Sequence, residues 1–152
     1  MDKHFYNISV KWTQDRKGIM CSPELHNPET GNKNCLEVAT PPEFPEGIPH
    51  IWSPEHLLTA SVSSCFMTTF LAIAGYSKLD FISFECGSKG VLDKIDGKFA
   101  VTEIHLFPEL VIADEKYQEK AIRILEKSEK ACLITNSIKS NVVMIPKVSV
   151  QQ

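Results

Sequence analysis

The chain has 152 residues, with 19 acidic and 16 basic side chains and a formal net charge of −3. A chain of this length buries a core without needing metals or disulfides to hold it, and we expect residues 1–152 to form a single domain. Because positive charge is not in excess, we expect neither nucleic acid nor an anionic membrane surface as a partner.

The cysteine count bears on the redox compartment. Five cysteines are an odd number, and residues 1–6 lack the apolar core of a secretory signal. We therefore expect a cytoplasmic protein with reduced thiols. In that compartment a disulfide is more often transient and catalytic than structural.

The first part of the chain predicts an opening hairpin followed by loops. Residues 6–12 alternate between polar and apolar side chains as a strand does, and residues 15–18 form the turn that returns it. A polar stretch over 22–34 precedes a short apolar run over 35–39. Four prolines and a glycine between residues 41 and 49 then stiffen a loop that suits one wall of a pocket.

A long helix is predicted from Pro54 to about Ala74. Ser53 is a good N-cap, Pro54 fits the first helical position and Gly75 is a plausible terminator. Residues 57–74 carry no charge but include six serines and threonines. This composition favours the central helix of a compact or dimeric protein over a membrane span.

The second half predicts strands and one amphipathic helix. A strand over 81–86 is followed by a turn over 87–90, a hairpin turn at Asp96-Gly97 and a long strand from 98 to 112. Asp114 is predicted to cap a helix in which Tyr117, Ala121, Ile124, Leu125 and Ser128 fall at helical spacing on the inward face. Residues 142–150 form a last strand, which Pro146 interrupts and confines to an edge.

Two cysteines lie in segments that carry a resemblance. A lone buried cysteine is more often packing than chemistry. Here, however, Pro54-Glu55, two leucines and small hydroxyl residues lead to Cys65, ten positions after the glutamate, and Lys130-Ala131-Cys132 follows the second helix. These segments resemble the signature helix and the resolving-cysteine segment of the osmotically inducible protein C and organic hydroperoxide resistance (OsmC/Ohr) family.

The resemblance implies a fold class, an assembly and a reaction. The fold is an α+β, OsmC-like fold with antiparallel sheets packed around a long central apolar helix, in an intertwined homodimer that builds its sites at the interface. Cys65 is the peroxidatic cysteine, which reduces an organic hydroperoxide without a cofactor. Cys132 is the resolving cysteine, and an external dithiol such as a lipoyl group reduces the resulting disulfide.

The resemblance also implies the groups around the thiols. No cation is near Cys65 in the sequence. The resemblance implies that Arg16 activates it, with Glu55 holding the guanidinium in a bidentate pair and Lys17 as the alternative cation. Ten residues of helix rise about 15 Å, so Glu55 and Cys65 cannot touch on one unbroken helix. The aromatic candidates for lining a substrate pocket are Phe44, Trp52, Phe66 and Phe70.

Two other interpretations stay open at this stage. The residues after Cys132 are Leu133-Ile134-Thr135, where the hydroperoxide-resistance branch usually has Pro-Tyr-Ser. An alternative therefore stays open, in which a protein with the same fold binds a small apolar ligand without catalysis. Zinc ligands are conceivable at Cys21, His26 and Cys35, with His50 or His56, but the spacing matches no common site, so we expect no metal. Cys86 lies in a strand pattern and is interpreted as packing.

Overall fold

The computed structural model covers residues 1–152 and contains seven strands, two α-helices and three short 3-10 turns. The elements are β1 (Ser9–Gln14), β2 (Lys17–Cys21), β3 (Leu36–Ala39), α1 (Pro54–Tyr76), β4 (Ser83–Ile95), β5 (Lys98–Ile112), α2 (Gln118–Ala131), β6 (Asn141–Met144) and β7 (Lys147–Val150). They divide into two compact units, an N-terminal unit of residues 1–57 and a C-terminal unit of residues 58–152.

The N-terminal unit is an antiparallel sheet in the order β1-β2-β3. The predicted hairpin is confirmed: Asp15 takes a positive φ in the turn, and β2 returns beside β1. Gly18 is required where the two strands meet, because a Cβ at this position would lie 2.6 Å from the Lys11 carbonyl oxygen. Ala39 and Pro41 are the buried residues with aliphatic side chains in this unit.

A disulfide joins Cys21 and Cys35 across β2 and the start of β3. Met20 pairs with Leu36 in the antiparallel register, so Cys21 and Cys35 occupy the next facing position, with their Cα atoms 4.5 Å apart. The expectation that all thiols are reduced is therefore wrong for this pair. The two cysteines are 14 residues apart in the sequence, and the register of the two strands brings their sulfur atoms together. Bonded sulfurs are also no longer available as zinc ligands.

The C-terminal unit contains a mixed sheet, and both helices pack with the sheet in one hydrophobic core. β4 and β5 form a long antiparallel hairpin, and the predicted turn at Asp96-Gly97 is confirmed by positive φ at both residues. One stripe of α1 (Val62, Phe66, Phe70, Ala74) packs in a single cluster with β5 (Ile104, Leu106, Leu110, Ile112) and α2 (Ala121, Ile124, Leu125).

Two strand predictions need correction. The turn predicted over 87–90 does not form, because β4 runs straight through it from Ser83 to Ile95. Gly90 serves packing instead, because a Cβ at this position would lie 2.4 Å from the Thr59 hydroxyl oxygen on α1. The single strand predicted over 142–150 is two strands, β6 and β7, which both pair with β5 in parallel, so the sheet is not purely antiparallel.

The two helices begin nearly as predicted. The Ser53 hydroxyl accepts a hydrogen bond from the backbone N–H of His56 at 3.3 Å, which confirms the N-cap of α1. Gly75 does not end α1, which continues to Tyr76, and Lys78 takes the left-handed conformation that closes the helix. Asp114 caps a 3-10 turn over Glu115–Tyr117, and α2 follows it.

Much of α1 remains uncovered in this chain. It is long and apolar enough to cross a membrane by composition alone, a test that the core helix of a globular protein also passes. Only 22% of its most apolar window is buried, and Met67 and Leu71 are exposed. Beyond its one covered stripe, α1 therefore exposes a large uncharged surface.

Candidate active site

Cys65 and Cys132 come together in the C-terminal unit. Cys65 lies in the middle of α1, half-buried beside the core stripe formed by Val62 and Phe66. Cys132 is the residue that ends α2, and its side chain is fully buried. Each thiol contributes to the shift in the pKa of the other, so the two sulfurs are neighbours in the fold. Their roles as peroxidatic and resolving cysteines stay predictions.

The environment of Cys65 favours its thiolate. Burial raises the pKa of this thiol, but hydrogen bonds to sulfur from the Ile134 backbone, the Cys132 thiol, the Thr69 hydroxyl and the Leu133 backbone outweigh burial and bring the pKa below its ordinary value. All four of these groups are neutral donors. A thiol with a lowered pKa carries more thiolate at neutral pH, and the thiolate is the nucleophile.

The environment of Cys132 does the opposite. Burial raises the pKa of Cys132, and although contacts with Thr135 oppose this, the hydrogen bond to Cys65 and the charge of the Cys65 thiolate add to the rise. Cys65 is therefore the stronger acid of the two thiols and Cys132 the weaker. The pair consists of an accessible nucleophile and a buried thiol that donates to it.

Arg16, the predicted activating cation, lies in the N-terminal unit. Its Nε and Nη2 donate to Glu46 Oε2 at 3.0 and 2.5 Å, on an exposed part of the unit. Glu55 lies half-buried in the first turn of α1. The Arg16–Glu55 pair and the action of Arg16 on Cys65 both stay predictions.

A cleft of about 380 Å³ opens on the N-terminal sheet. Its lining includes the apolar residues Val10, Trp12 and Val38 and the cationic residues Arg16 and Lys17. The Trp12 indole is fixed by a hydrogen bond from its Nε1 to the Asp15 carbonyl oxygen at 3.0 Å. Such a cleft suits a small ligand with an apolar body and a polar or anionic end.

The four aromatic candidates fall into two groups. Phe66 and Phe70 are fully buried and pack against Phe84, so in this chain they form core and present no face to a ligand. Phe44 and Trp52 belong to the N-terminal unit, where Trp52 is 47% exposed and stands edge-on to the ring of His56. Trp52 therefore retains a surface on which a substrate can pack.

Sequence reasoning missed the donors to Cys65. Thr69 was available as a signal, because it lies four residues after Cys65 and so shares its face of α1. The N–H groups of Leu133 and Ile134 had no signal, since every residue except proline carries one. The third free thiol, Cys86, donates to the Gly87 carbonyl oxygen at 3.5 Å, and burial raises its pKa, in keeping with packing.

The family follows from comparison with known proteins. The model of the family described as OsmC-like protein matches residues 47–147, well over half of the chain. The chain belongs to the OsmC-like protein family. The resemblance drawn from the two cysteine segments is thereby confirmed, and so is the α+β OsmC-like fold class.

Individual relatives of this OsmC-like protein are distant but cover it fully. It is 24% identical to Uncharacterized protein YmaD of Bacillus subtilis strain 168, over 99% of this chain and 96% of that relative. An OsmC-like protein of unknown function from Vibrio cholerae superposes with a TM-score of 0.82 at 20% identity, covering 95% of this chain and 99% of that one. An organic hydroperoxide resistance protein from Elizabethkingia anophelis gives 0.74 at 21% identity, covering 99% of each chain. These likenesses establish the shared fold.

Proposed function

We propose that this OsmC-like protein is a thiol-dependent peroxidase that reduces organic hydroperoxides, with Cys65 as the peroxidatic and Cys132 as the resolving cysteine. The observation that carries the proposal is the opposite shift of the two pKa values in one interacting pair, lowered for Cys65 and raised for Cys132. The fold shared with a protein named for organic hydroperoxide resistance supports the same reaction class.

The reaction proceeds in two balanced steps. The Cys65 thiolate attacks the distal oxygen of ROOH, so that an S–O bond forms, the O–O bond breaks and the alkoxide takes up a proton to leave as ROH. The Cys132 sulfur then attacks the Cys65 sulfenic acid. An S–S bond forms, and the departing hydroxide leaves as water with the Cys132 proton.

The cycle closes when an external dithiol, a lipoyl group or a similar compound, gives two electrons and two protons to the Cys65–Cys132 disulfide. We propose a cytoplasmic location, where such dithiols are kept reduced. We also propose a homodimer, because the uncovered apolar surface of α1, with Met67 and Leu71 exposed, matches the interior of an assembly better than a wet surface.

Peroxide consumption tests the proposal directly. Purified protein is mixed with cumene hydroperoxide and a dithiol, and loss of peroxide is followed over time. Cys65→Ser is expected to abolish turnover, whereas Cys132→Ser is expected to leave one rapid turnover and then stop, because the sulfenic acid is no longer resolved. Cys86→Ser is the matched control and keeps parental activity. Parental turnover no greater than that of Cys65→Ser contradicts the proposal.

The part proposed for Arg16 has its own test. A guanidinium near a thiolate stabilises it, so Arg16→Ala is expected to slow peroxide turnover and to shift alkylation of Cys65 to higher pH, while Lys17→Ala has little effect. An alkylation profile of Cys65 that Arg16→Ala leaves unchanged removes the arginine from thiol activation.

The cleft on the N-terminal sheet favours one second candidate, a protein that binds a small apolar ligand without turning it over. Neither Cys65 nor Cys132 is among the residues that line it. Fluorescence of Trp12 reports binding there, because the indole forms part of the wall. Two results together select this candidate over the peroxidase. The parent protein shows no peroxide turnover, and the variant that carries both Cys65→Ser and Cys132→Ser still binds the ligand.

A further inference from the structure

The Cys21–Cys35 disulfide closes a loop, residues 22–35, that has few other ties to the sheet. Residues 23–34 are all exposed. Their hydrogen bonds stay within the loop except at Glu24, whose carboxylate accepts from Asn7. Since neither burial nor hydrogen bonds fix the far end of the loop, its position against the sheet depends on the disulfide.

The same disulfide holds the start of an edge strand. β3 has four residues and pairs along one side with β2, while its other side has a single bridge, from Val38 to Trp52. Of its four side chains only that of Ala39 is buried. A short edge strand that buries so little apolar surface gains little free energy from packing, so its attachment depends on the covalent link beside Leu36.

β3 also supplies part of the cleft on the N-terminal sheet. Trp12 pairs with Gly18, and Gly18 pairs with Val38, so no side chain stands between the indole and the valine on this face of the sheet. Trp12 and Val38 both line the cleft. Cys21 comes three residues after Gly18 and therefore points to the opposite face. A reductant reaches the disulfide from that face, where both cysteines are only half-buried, without entering the cleft.

We propose that the Cys21–Cys35 disulfide is a redox modification site that a small dithiol opens, and that its opening releases β3 and takes Val38 out of the cleft. One thiolate of the dithiol attacks a sulfur of the bridge, so that the S–S bond breaks and a mixed disulfide forms. The second thiol then displaces the protein sulfur and closes a cyclic disulfide. Two electrons and two protons have passed to Cys21 and Cys35, and the oxidised dithiol restores the bridge by the reverse exchange. The site uses neither Cys65 nor Cys132, so it stands apart from the proposed peroxidase.

Differential alkylation tests the thiol chemistry. The parent protein is equilibrated with reduced and oxidised dithiothreitol at graded ratios, free thiols are blocked with iodoacetamide, and mass spectrometry of the peptides gives the labelled fraction of each cysteine. Cys21 and Cys35 are expected to be unlabelled in the oxidised reagent. They should become labelled together as the ratio rises, while the helical circular dichroism signal stays unchanged. Complete labelling without any dithiol overturns the proposal, as does labelling that begins only when the protein unfolds.

Limited cleavage by trypsin tests the release of the loop and β3. Lys33 lies in the loop, and Lys11 on β1 is the matched control site in the same sheet. A covalent link across 14 residues favours the closed loop by about a hundredfold, and cleavage follows the open fraction, so reduction should speed cleavage after Lys33 by about this factor. Cleavage after Lys11 should change little. An equal rise at both sites, or no rise at Lys33, overturns a local release.

Emission from Trp12 tests the link to the cleft. Trp52→Phe leaves Trp12 as the one tryptophan of the chain, and anilinonaphthalene sulfonate is the probe, because it has an apolar body and an anionic end. Apparent affinity falls with the fraction of molecules whose cleft is intact, so we expect reduction to weaken quenching of Trp12 by the probe about tenfold.

The matched variant carries both Cys21→Ser and Cys35→Ser. It should bind the probe as the reduced parent does and should not respond to dithiothreitol. Unchanged affinity on reduction of the parent overturns the link to the cleft, and so does a response to dithiothreitol that persists in the double variant. If the double variant does not fold, the comparison of oxidised with reduced parent still decides, because it needs no substitution at either cysteine.

Discussion

The close approach of α1 to β4 makes Gly90 a position where one methyl group has a calculable effect. A Cβ built on Gly90 lies 2.4 Å from the Thr59 hydroxyl oxygen, 3.7 Å from its Cβ and 3.8 Å from a methyl carbon of Val101. The first distance is well inside van der Waals contact, so Gly90→Ala forces the helix, the strand or the threonine side chain to move. Gly87, three residues earlier in β4, has only the Phe107 Cβ at 4.0 Å and serves as the matched control.

The expected free energies have opposite signs at the two sites. Overpacking of a well-fitted interior costs about 1–3 kcal/mol, while replacing a strand glycine by alanine gains about 0.5–1 kcal/mol in backbone entropy. Gly90→Ala should therefore lower the free energy of unfolding by about 1–2 kcal/mol. Gly87→Ala should leave it unchanged or raise it slightly.

Thermal unfolding measures both changes. For a chain of this size a change of 1 kcal/mol moves Tm by about 2–4 °C, so we expect Gly90→Ala to melt about 3–6 °C below the parent at equal protein concentration. Adding Thr59→Ala removes the clashing oxygen, and a double-mutant cycle should recover much of the loss as a favourable coupling between the two positions. Gly90→Ala as stable as Gly87→Ala, or no coupling with Thr59→Ala, would refute the close approach of α1 to the strand.

Three further outcomes are expected. Because the pKa of Cys65 is lowered and that of Cys132 raised, iodoacetamide should label Cys65 at a lower pH than Cys132, and the reverse order contradicts their assignment. Replacing Cys21 and Cys35 together by serine opens a loop closed across 14 residues, which should cost about 3 kcal/mol and speed tryptic cleavage between residues 22 and 34; unchanged cleavage rates contradict a disulfide in solution. Leu71→Lys puts a charge on the uncovered face of α1, where the side chain is 44% exposed. Sedimentation should then show the proposed homodimer dissociating, and a parent protein that is monomeric at micromolar concentration rejects the dimer.

The sequence predicted elements whose signals are local. Ser53 and Pro54 mark the start of α1, and Asp96-Gly97 supplies the positive φ angles that a tight hairpin requires. The errors arose where tertiary contacts decide. Gly90 was interpreted as a turn residue although it makes room for a helix, and residues 142–150 pair with a strand that lies some 40 positions away along the chain.

The candidate site divides in the same way. Cys65 and Cys132 were found because the chemistry belongs to their side chains and the segments around them are characteristic of the family. A charged side chain is not the only group that can lower the pKa of a thiol. The Leu133 and Ile134 N–H groups do so through backbone dipoles, and their use depends on the conformation of one turn, which no residue type in the sequence reports.

In residues 1–57 only two small aliphatic side chains are buried, those of Ala39 and Pro41, while Val10 and Trp12 on β1 remain 63% and 71% exposed. Such a sheet gains little free energy from burying its own side chains, so its order depends on whatever surface covers it. If that cover is a second copy of the chain, mass action governs it, and the fraction of ordered sheet falls as the protein is diluted. If Arg16 takes part in the reaction, specific activity would then depend on enzyme concentration. Progress curves recorded at nanomolar protein would understate the rate that the same chain reaches at the concentrations found in a cell.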